Sequence, residues 1–384
     1  MFGRSQSNTT GLSAVFFIRS GSVDGFLRGP DGKIAYRCQA ELPYQREVDL
    51  VRYKKSMLAA LLDVAMRLST EGIAPYAAAH GHNGLTRGLV ILSAPWHQPF
   101  IGRLHSAWDK PQKANAALFH TLAEEEMRRQ QEGLTKLLGE PVEVLAESVT
   151  DLEINGYPVK TPRNELAIEI AALLSGAAVG ASTHESISEV VGKVLQVEPE
   201  ITTSMQLLVA QTPVAENRYV LLEIHGEITE ATLVENGVVT DRETFPEGTH
   251  ELVRIIESAK GISAAEALSA LRLYYGGKQE NDPVLNDAVV KGMEQWQKSL
   301  AASFQALSDF LPVPEIMVLA TDPAWHAIYQ SALNEGTFIA SQLGKNPEVR
   351  WIGDLVPGAT VDYAPFLAQM AGDSRVGEAG TKTA

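Results

Sequence analysis

The run Glu223-Ile224-His225-Gly226-Glu227-Ile228-Thr229 gathers the residues best suited to chemistry. Two carboxylates, an imidazole and a hydroxyl surround one glycine, at a bend between two strand-like segments. A polar, glycine-containing bend can present backbone N–H groups to an anion. The same residues also make a plain hairpin turn, which is the commoner use, and on the residues alone both readings stand. Other candidates carry less. His80-Gly81-His82 offers two metal ligands but no third at a fixed spacing, so a polar loop is expected there rather than a zinc site. No Ser-His-Asp arrangement is legible, and Ser93-Ala94-Pro95 lacks the glycines of a nucleophile elbow. Trp325, His326 and Tyr329 share a helix face that reads as core. The single cysteine, Cys38, excludes an intramolecular disulfide, fits a reducing compartment and reads as a small core residue. No catalytic residue and no metal site is assigned.

The elements that must hold the bend follow from periodicity and turn signals. Tyr219 to Ile224 is mostly apolar, as a buried strand is, and Ile228 to Val234 is rich in β-branched residues. Asn236-Gly237 then signals a tight turn into a third strand, Val238 to Phe245. A second meander of the same layout stands near the start: strands at 14–18, 23–28 and 33–40, with turns at Arg19–Ser22 and Gly29–Gly32. Apolar residues at helical spacing follow over Leu50–Leu68, and then a buried strand over 88–94. After the later meander the pattern gives helices at 249–259, 263–275 and 285–309, a strand at 315–320 and a helix at 324–334. The repetition reads as an internal duplication.

Between the copies the pattern changes. Strands are expected at 99–107, 142–152, 157–161 and 165–174, with helices at 114–138 and 185–195 and a hairpin at Asn155-Gly156. The charged face of 114–138 (Glu124, Glu125, Glu126, Arg128, Arg129) reads as solvated surface. The expected organisation is a disordered lead at 1–11, a first lobe from 12–95 with 179–216, a small α+β insertion at 96–178, a second lobe at 217–371 and a disordered tail at 372–384.

Composition narrows the class. The chain has 384 residues, 45% of them hydrophobic, with no apolar run long enough to span a bilayer. Residues 1–14 lack a signal-peptide pattern. A net charge of −15 and a pI near 5.1 disfavour nucleic acid or anionic membrane as a general partner. A cytoplasmic protein with no direct membrane anchor is the expectation.

With the duplicated meander, the insertion and the 217–241 stretch in view, the chain resembles the FtsA/PilM branch of the actin-like ATPase superfamily over most of 12–370. The resemblance implies an α/β, actin-like (ribonuclease H-like) duplicated two-lobed fold, with an extra small α+β subdomain inserted in the first lobe. It places Ser20-Gly21-Ser22 at the first phosphate loop. The second, patterned Asp-Ile-Gly-Gly-Gly-Thr-Thr-Asp in the family, falls on Glu223, His225, Gly226 and Thr229. The family's Ala-Glu-x-x-Lys helix, which touches the adenosine, falls on Ala265-Glu266, with Ser269 in place of Lys. ATP and Mg²⁺ are the implied ligands of these positions.

The departures from the pattern have physical weight. Loop glycines let amides approach an anion closely, and here only Gly226 remains. A carboxylate at Glu227 would repel a triphosphate by roughly 1–4 kcal/mol at about 4 Å. Glu223 keeps the charge of the family's Asp but sets it one methylene further out. Thr321-Asp322 replaces the Gly-Gly that makes room for the base. These changes predict that nucleotide is not bound tightly and that the chain is not an enzyme, or at most a weak ATPase. The resemblance then implies a cytoplasmic PilM-like adaptor of a membrane-bound machine, such as a type IV pilus or secretion platform. Its partner would be the cytoplasmic peptide of a membrane protein, which would bring it to the inner face of the membrane, and self-association stays open. The alternative is an ATP·Mg-binding ATPase of the FtsA division type.

Overall fold

The computed structural model describes residues 11–81, 84–212, 216–275, 282–307, 312–355 and 363–373. The expected lead up to residue 10, His82, the last two residues of the expected helix 285–309 and the tail from 374 lie outside the described residues. In chain order come β1 (Leu12–Ile18), β2 (Ser22–Arg28), β3 (Ile34–Glu41), α1 (Leu50–Arg67), a π-helical turn (Leu68–Ile73), α2 (Ala74–His80) and β4 (Leu85–Leu92). An inserted unit follows, of β5 (Gln98–Ala114), α3 (Ala116–Leu138), β6 (Val142–Ile154), β7 (Tyr157–Pro158) and β8 (Glu165–Gly180). Then α4 (Ala181–Leu195), β9 (Pro199–Thr203) and α5 (Ser204–Gln211) return to the first lobe. The second lobe contains β10 (Arg218–Ile224), β11 (Thr229–Glu235), β12 (Val238–Phe245), α6 (Thr249–Lys260), α7 (Ala264–Tyr275) and α8 (Pro283–Leu307). It is completed by β13 (Ile316–Ala320), α9 (Pro323–Glu335), α10 (Thr337–Leu343), β14 (Glu348–Trp351) and α11 (Ile352–Leu355), with α12 (Tyr363–Asp373) last.

The duplication is plain in the sheets. One has the order β3-β2-β1-β4-β9 and the other β12-β11-β10-β13-β14. In each, the first strand of a meander pairs antiparallel with the second and parallel with a later strand: β1 with β2 and β4, β10 with β11 and β13. Their central strands are covered on both faces, β1 buried along its whole length and β10 from Tyr219 onward, so they read as apolar runs rather than alternations. Helices α1 and α4 cover the outer face of the first sheet, around Phe16, Met57, Leu61 and Val191, and α6 and α8 cover that of the second, around Leu252, Trp296 and Phe304. Between the lobes, Val15 and Phe17 of β1 meet Leu221 of β10 and Val318 of β13, closed by α5 and α12 through Leu208 and Leu367.

The inserted unit has its own sheet, β5-β8-β6-β7, with α3 packed on it through Phe119, Leu104 and Ile170. Two of its strands outrun the sequence reading. The strand read as 99–107 continues to Ala114 past a register shift between Ala107 and Gln112. The one read as 165–174 continues to Gly180 through Ser175-Gly176-Ala177-Ala178, small residues with no alternation to read. There Gly176 is required by close packing: a Cβ would lie 2.3 Å from the Phe100 ring and 2.4 Å from the Ala146 carbonyl.

Candidate functional site

The two hairpin bends, β1–β2 and β10–β11, meet backbone to backbone between the lobes. A Cβ on Gly226 would lie 2.9 Å from Gly21 Cα and 2.9 Å from His250 Cε1. Gly248 closes the contact from behind, since a Cβ there would lie 2.2 Å from the His225 carbonyl oxygen. Two amides of the second bend have protein acceptors. Glu227 N–H donates across the lobes to Ser20 Oγ at 2.9 Å, and His225 N–H donates to the Ile228 carbonyl at 3.0 Å. The carbonyls are also used: Thr249 N–H reaches His225 O at 2.8 Å, His250 N–H reaches Gly226 O at 2.7 Å, and Tyr53 Oη donates to Ser20 O.

The charges around the bends are paired. The Glu227 carboxylate is bound by Arg254 and lies 2.8 Å from His250 Nδ1. Burial opposes its charged form, but the His250 and Arg254 hydrogen bonds outweigh burial and hold the carboxyl below its ordinary range. Arg254 also donates to the Gln45 carbonyl of the first lobe at 3.1 Å. Arg19, almost fully buried, holds Asp24 at 2.5 Å and reaches across the lobes to Asp322. Asp24 also takes Arg37 at 3.0 Å.

The expected site residues separate into two groups. Gly21, Ser22, His225 and Gly226 line a cleft of about 610 Å³ between the lobes, and Ser20 braces it through the Glu227 amide. Glu223 is 1% exposed and lies away from the cleft, accepting from Ser204 Oγ at 2.6 Å with His225 Nε2 3.5 Å away. Thr229 is buried beneath the hairpin, donating to the Glu247 carbonyl at 2.6 Å and accepting from Trp296 Nε1 at 2.9 Å. Glu266 turns away as the capping residue of α7, accepting from the Ser263 N–H and Oγ, both at 2.8 Å. Those bonds, backbone first, lower its carboxyl pKa.

Of the lesser candidates, Cys38 is buried in the first core, where burial pushes its thiol up to about 11. His80 stacks on Tyr76 at 4.1 Å, and Tyr329 is fully buried. Thr321, read as bulk beside a base, is buried and donates to the Ile224 carbonyl at 3.1 Å. Among the described residues no group of three His, Cys, Asp or Glu is placed to hold a metal ion. The cleft's walls are Tyr44 and Arg37 from the first lobe, facing His250, Leu268, Arg272 and Trp325 from the second. Sequence reasoning did not single out Arg19, Arg254 or His250. Their partners lie up to 303 positions away, so no local spacing marks them.

No protein-family model matches the chain, and no curated protein matches it. Solved structures do. The PilM-PilN type IV pilus biogenesis complex matches with a TM-score of 0.59 at 13% identity, over 94% of this chain and 96% of that one. The ethanolamine utilization protein EutJ from Carboxydothermus hydrogenoformans matches with a TM-score of 0.44 at 12% identity, over 94% and 89%. A Bacteroides thetaiotaomicron protein with an actin-like ATPase fold matches with a TM-score of 0.42 at 9% identity, over 96% and 99%. The duplicated sheets and the near-complete overlay together establish the architecture: this chain has a two-lobed actin-like α/β fold, similar along almost its whole length to the PilM-PilN structure.

Proposed function

We propose that this protein is a PilM-like adaptor: a cytoplasmic scaffold of a membrane-bound assembly machine that binds the cytoplasmic peptide of a membrane partner. The observation that carries this reading is the contact between Gly21 and Gly226. A methyl group on Gly226 does not fit against Gly21 and His250, and a phosphate placed at that point would meet the same atoms, which supports a cleft not built around an anion. The Glu227 and His225 amides, already bonded within the protein, support the same reading. The PilM-PilN match supplies the partner's kind, since that structure is a complex of two pilus-assembly proteins. Among the described residues no helix is long and apolar enough to cross a membrane. In the adaptor reading the link to the membrane is the partner.

A second reading, an ATP·Mg-binding ATPase, draws on the cleft of about 610 Å³ that remains beside the hairpins. Isothermal titration of the purified protein with ATP and Mg²⁺ separates the two. The adaptor reading expects no heat at millimolar ATP. A dissociation constant of about 10 µM or tighter, near −7 kcal/mol, would overturn it.

A further inference from the structure

The step Trp96-His97 carries the chain from β4 of the first lobe into β5 of the inserted unit, and both side chains are buried. Trp96 is tied to the first hairpin. Its Nε1 donates to the Arg19 carbonyl at 3.0 Å, and its ring stacks at 4.9 Å on Tyr53, which itself donates to Ser20 O.

His97 serves the second lobe. It is 2% exposed, and neither ring nitrogen has a hydrogen-bond partner among the described residues. Arg242 of β12 opposes a proton on it, as a proton on His225 of the second hairpin would. Strand β12 is the edge of the second sheet and packs against β5 and β8, so Arg242 stands where the inserted unit seats. The nearby carboxylates have partners of their own: Glu230 pairs with Arg242, and Glu223, opposite Glu230 in register, takes the Ser204 hydroxyl. A protonated His97 would therefore be a buried cation with no acceptor, in the repulsive field of Arg242. Burial first, then Arg242 and His225, push its pKa well below the ordinary histidine range.

We propose that His97 is a proton-sensitive latch: neutral, it lets the inserted unit seat on β12; protonated, it unseats that unit, and Trp96 passes the movement to the first hairpin of the cleft. This goes beyond the adaptor reading and does not depend on it. The seated form binds fewer protons than the unseated one, in which His97 titrates near its ordinary value of about 6.5. Seating is therefore fully favoured above that pH and weakens as pH falls below it. From pH 8 to 5.5 the unseating constant rises about tenfold.

The test is a distance measurement between spin labels on Lys136→Cys in α3 and Glu294→Cys in α8, both exposed, with native Cys38 buried. The wild-type background is expected to give one narrow distance at pH 8 and a second population at pH 5.5. His97→Leu, or His97→Gln if the leucine variant does not fold, is expected to stay narrow at both. An identical wild-type distribution at the two pH values overturns the proposal. So does a pH response that survives in a His97 variant.

Discussion

Replacing Gly226 by alanine tests directly whether the two hairpins are in contact. The new Cβ lies 2.9 Å from Gly21 Cα, 2.9 Å from His250 Cε1 and 3.1 Å from Gly21 N. Optimal carbon–carbon contact is about 3.5–4.0 Å, so the hairpins must part by roughly 0.6–1 Å. Two of the three clashing atoms are backbone and cannot rotate away. Overpacking of this kind costs about 1–3 kcal/mol, offset by about 0.4–1 kcal/mol from the stiffer unfolded chain. The net loss of about 1–2 kcal/mol corresponds to a fall in Tm of about 2–8 °C for a lobe of this size, measured by scanning calorimetry. The partner substitution is the control. At Gly21 a Cβ meets Gly226 Cα at 3.4 Å and other atoms at 3.6 Å, which is ordinary contact. Gly21→Ala is expected to stay within about 0.5 kcal/mol of wild type. At Gly248, where the Cβ would lie 2.2 and 2.5 Å from two carbonyl oxygens, the loss should exceed that at Gly226. A neutral Gly226→Ala, or a Gly21→Ala that costs as much, would refute the packed-hairpin geometry and with it the support for the adaptor reading.

Three further substitutions probe the charges around the cleft. Asp24→Asn leaves buried Arg19 without its main partner and should cost about 3–5 kcal/mol in urea denaturation, whereas Asp322→Ala, with a side chain 41% exposed, should cost no more than about 1 kcal/mol. Glu227 has a folded pKa below its ordinary value, so its stabilisation is present above about pH 4.3 and is lost as pH falls below that. Wild type should therefore lose more stability than Glu227→Gln between pH 5 and 3, and parallel losses would count against the pairing with Arg254 and His250. Glu266→Ala should speed hydrogen exchange in the first turn of α7 and leave ATP titration unchanged, because its carboxylate caps Ser263.

Much of the fold was legible where the chain speaks locally. The turns at Asn155-Gly156 and Asn236-Gly237 both have positive φ at each residue, as the Asn-Gly signal requires. The two meanders are visible because each strand is a short apolar or β-branched run ended by turn residues. Strand β9 went unread because it is only five residues long and opens on Pro199, which suits a first strand position but gives no apolar run. The segment after Leu68 was also hidden, since the chain passes through a π-helical turn and on into α2 instead of stopping. The site was less legible than the fold. Sequence alone gave Glu227 as a charge facing the cleft, but its orientation is set by His250 and Arg254, two strands further on in α6. What a lone glycine touches is likewise a tertiary fact, and Gly21 and Gly226 are joined only once both sheets are built.

The cross-lobe bonds bear on whether such a cleft could work as a hydrolase hinge. Polar links among the described residues join the lobes around it, including Glu227 N–H to Ser20 Oγ, Arg19 to Asp322, Arg254 to the Gln45 carbonyl, and Tyr44 Oη to Glu257 at 2.8 Å. At about 0.5–1.5 kcal/mol net for each hydrogen bond, with the half-exposed Arg19–Asp322 pair at no more than about 1 kcal/mol, together they favour the closed lobes by a few kcal/mol. An open form a few kcal/mol less stable would hold roughly 0.1–10% of molecules. A nucleotide that needed the hairpins apart would bind more weakly by the same fraction, and the Glu227 and His225 amides would be open to it only if their bonds to Ser20 and Ile228 broke. A peptide docking on a fixed surface meets neither obstacle. The pairing across this cleft therefore suits a fixed platform, in keeping with the proposed adaptor, and the proposed His97 latch of the inserted unit would be a separate joint.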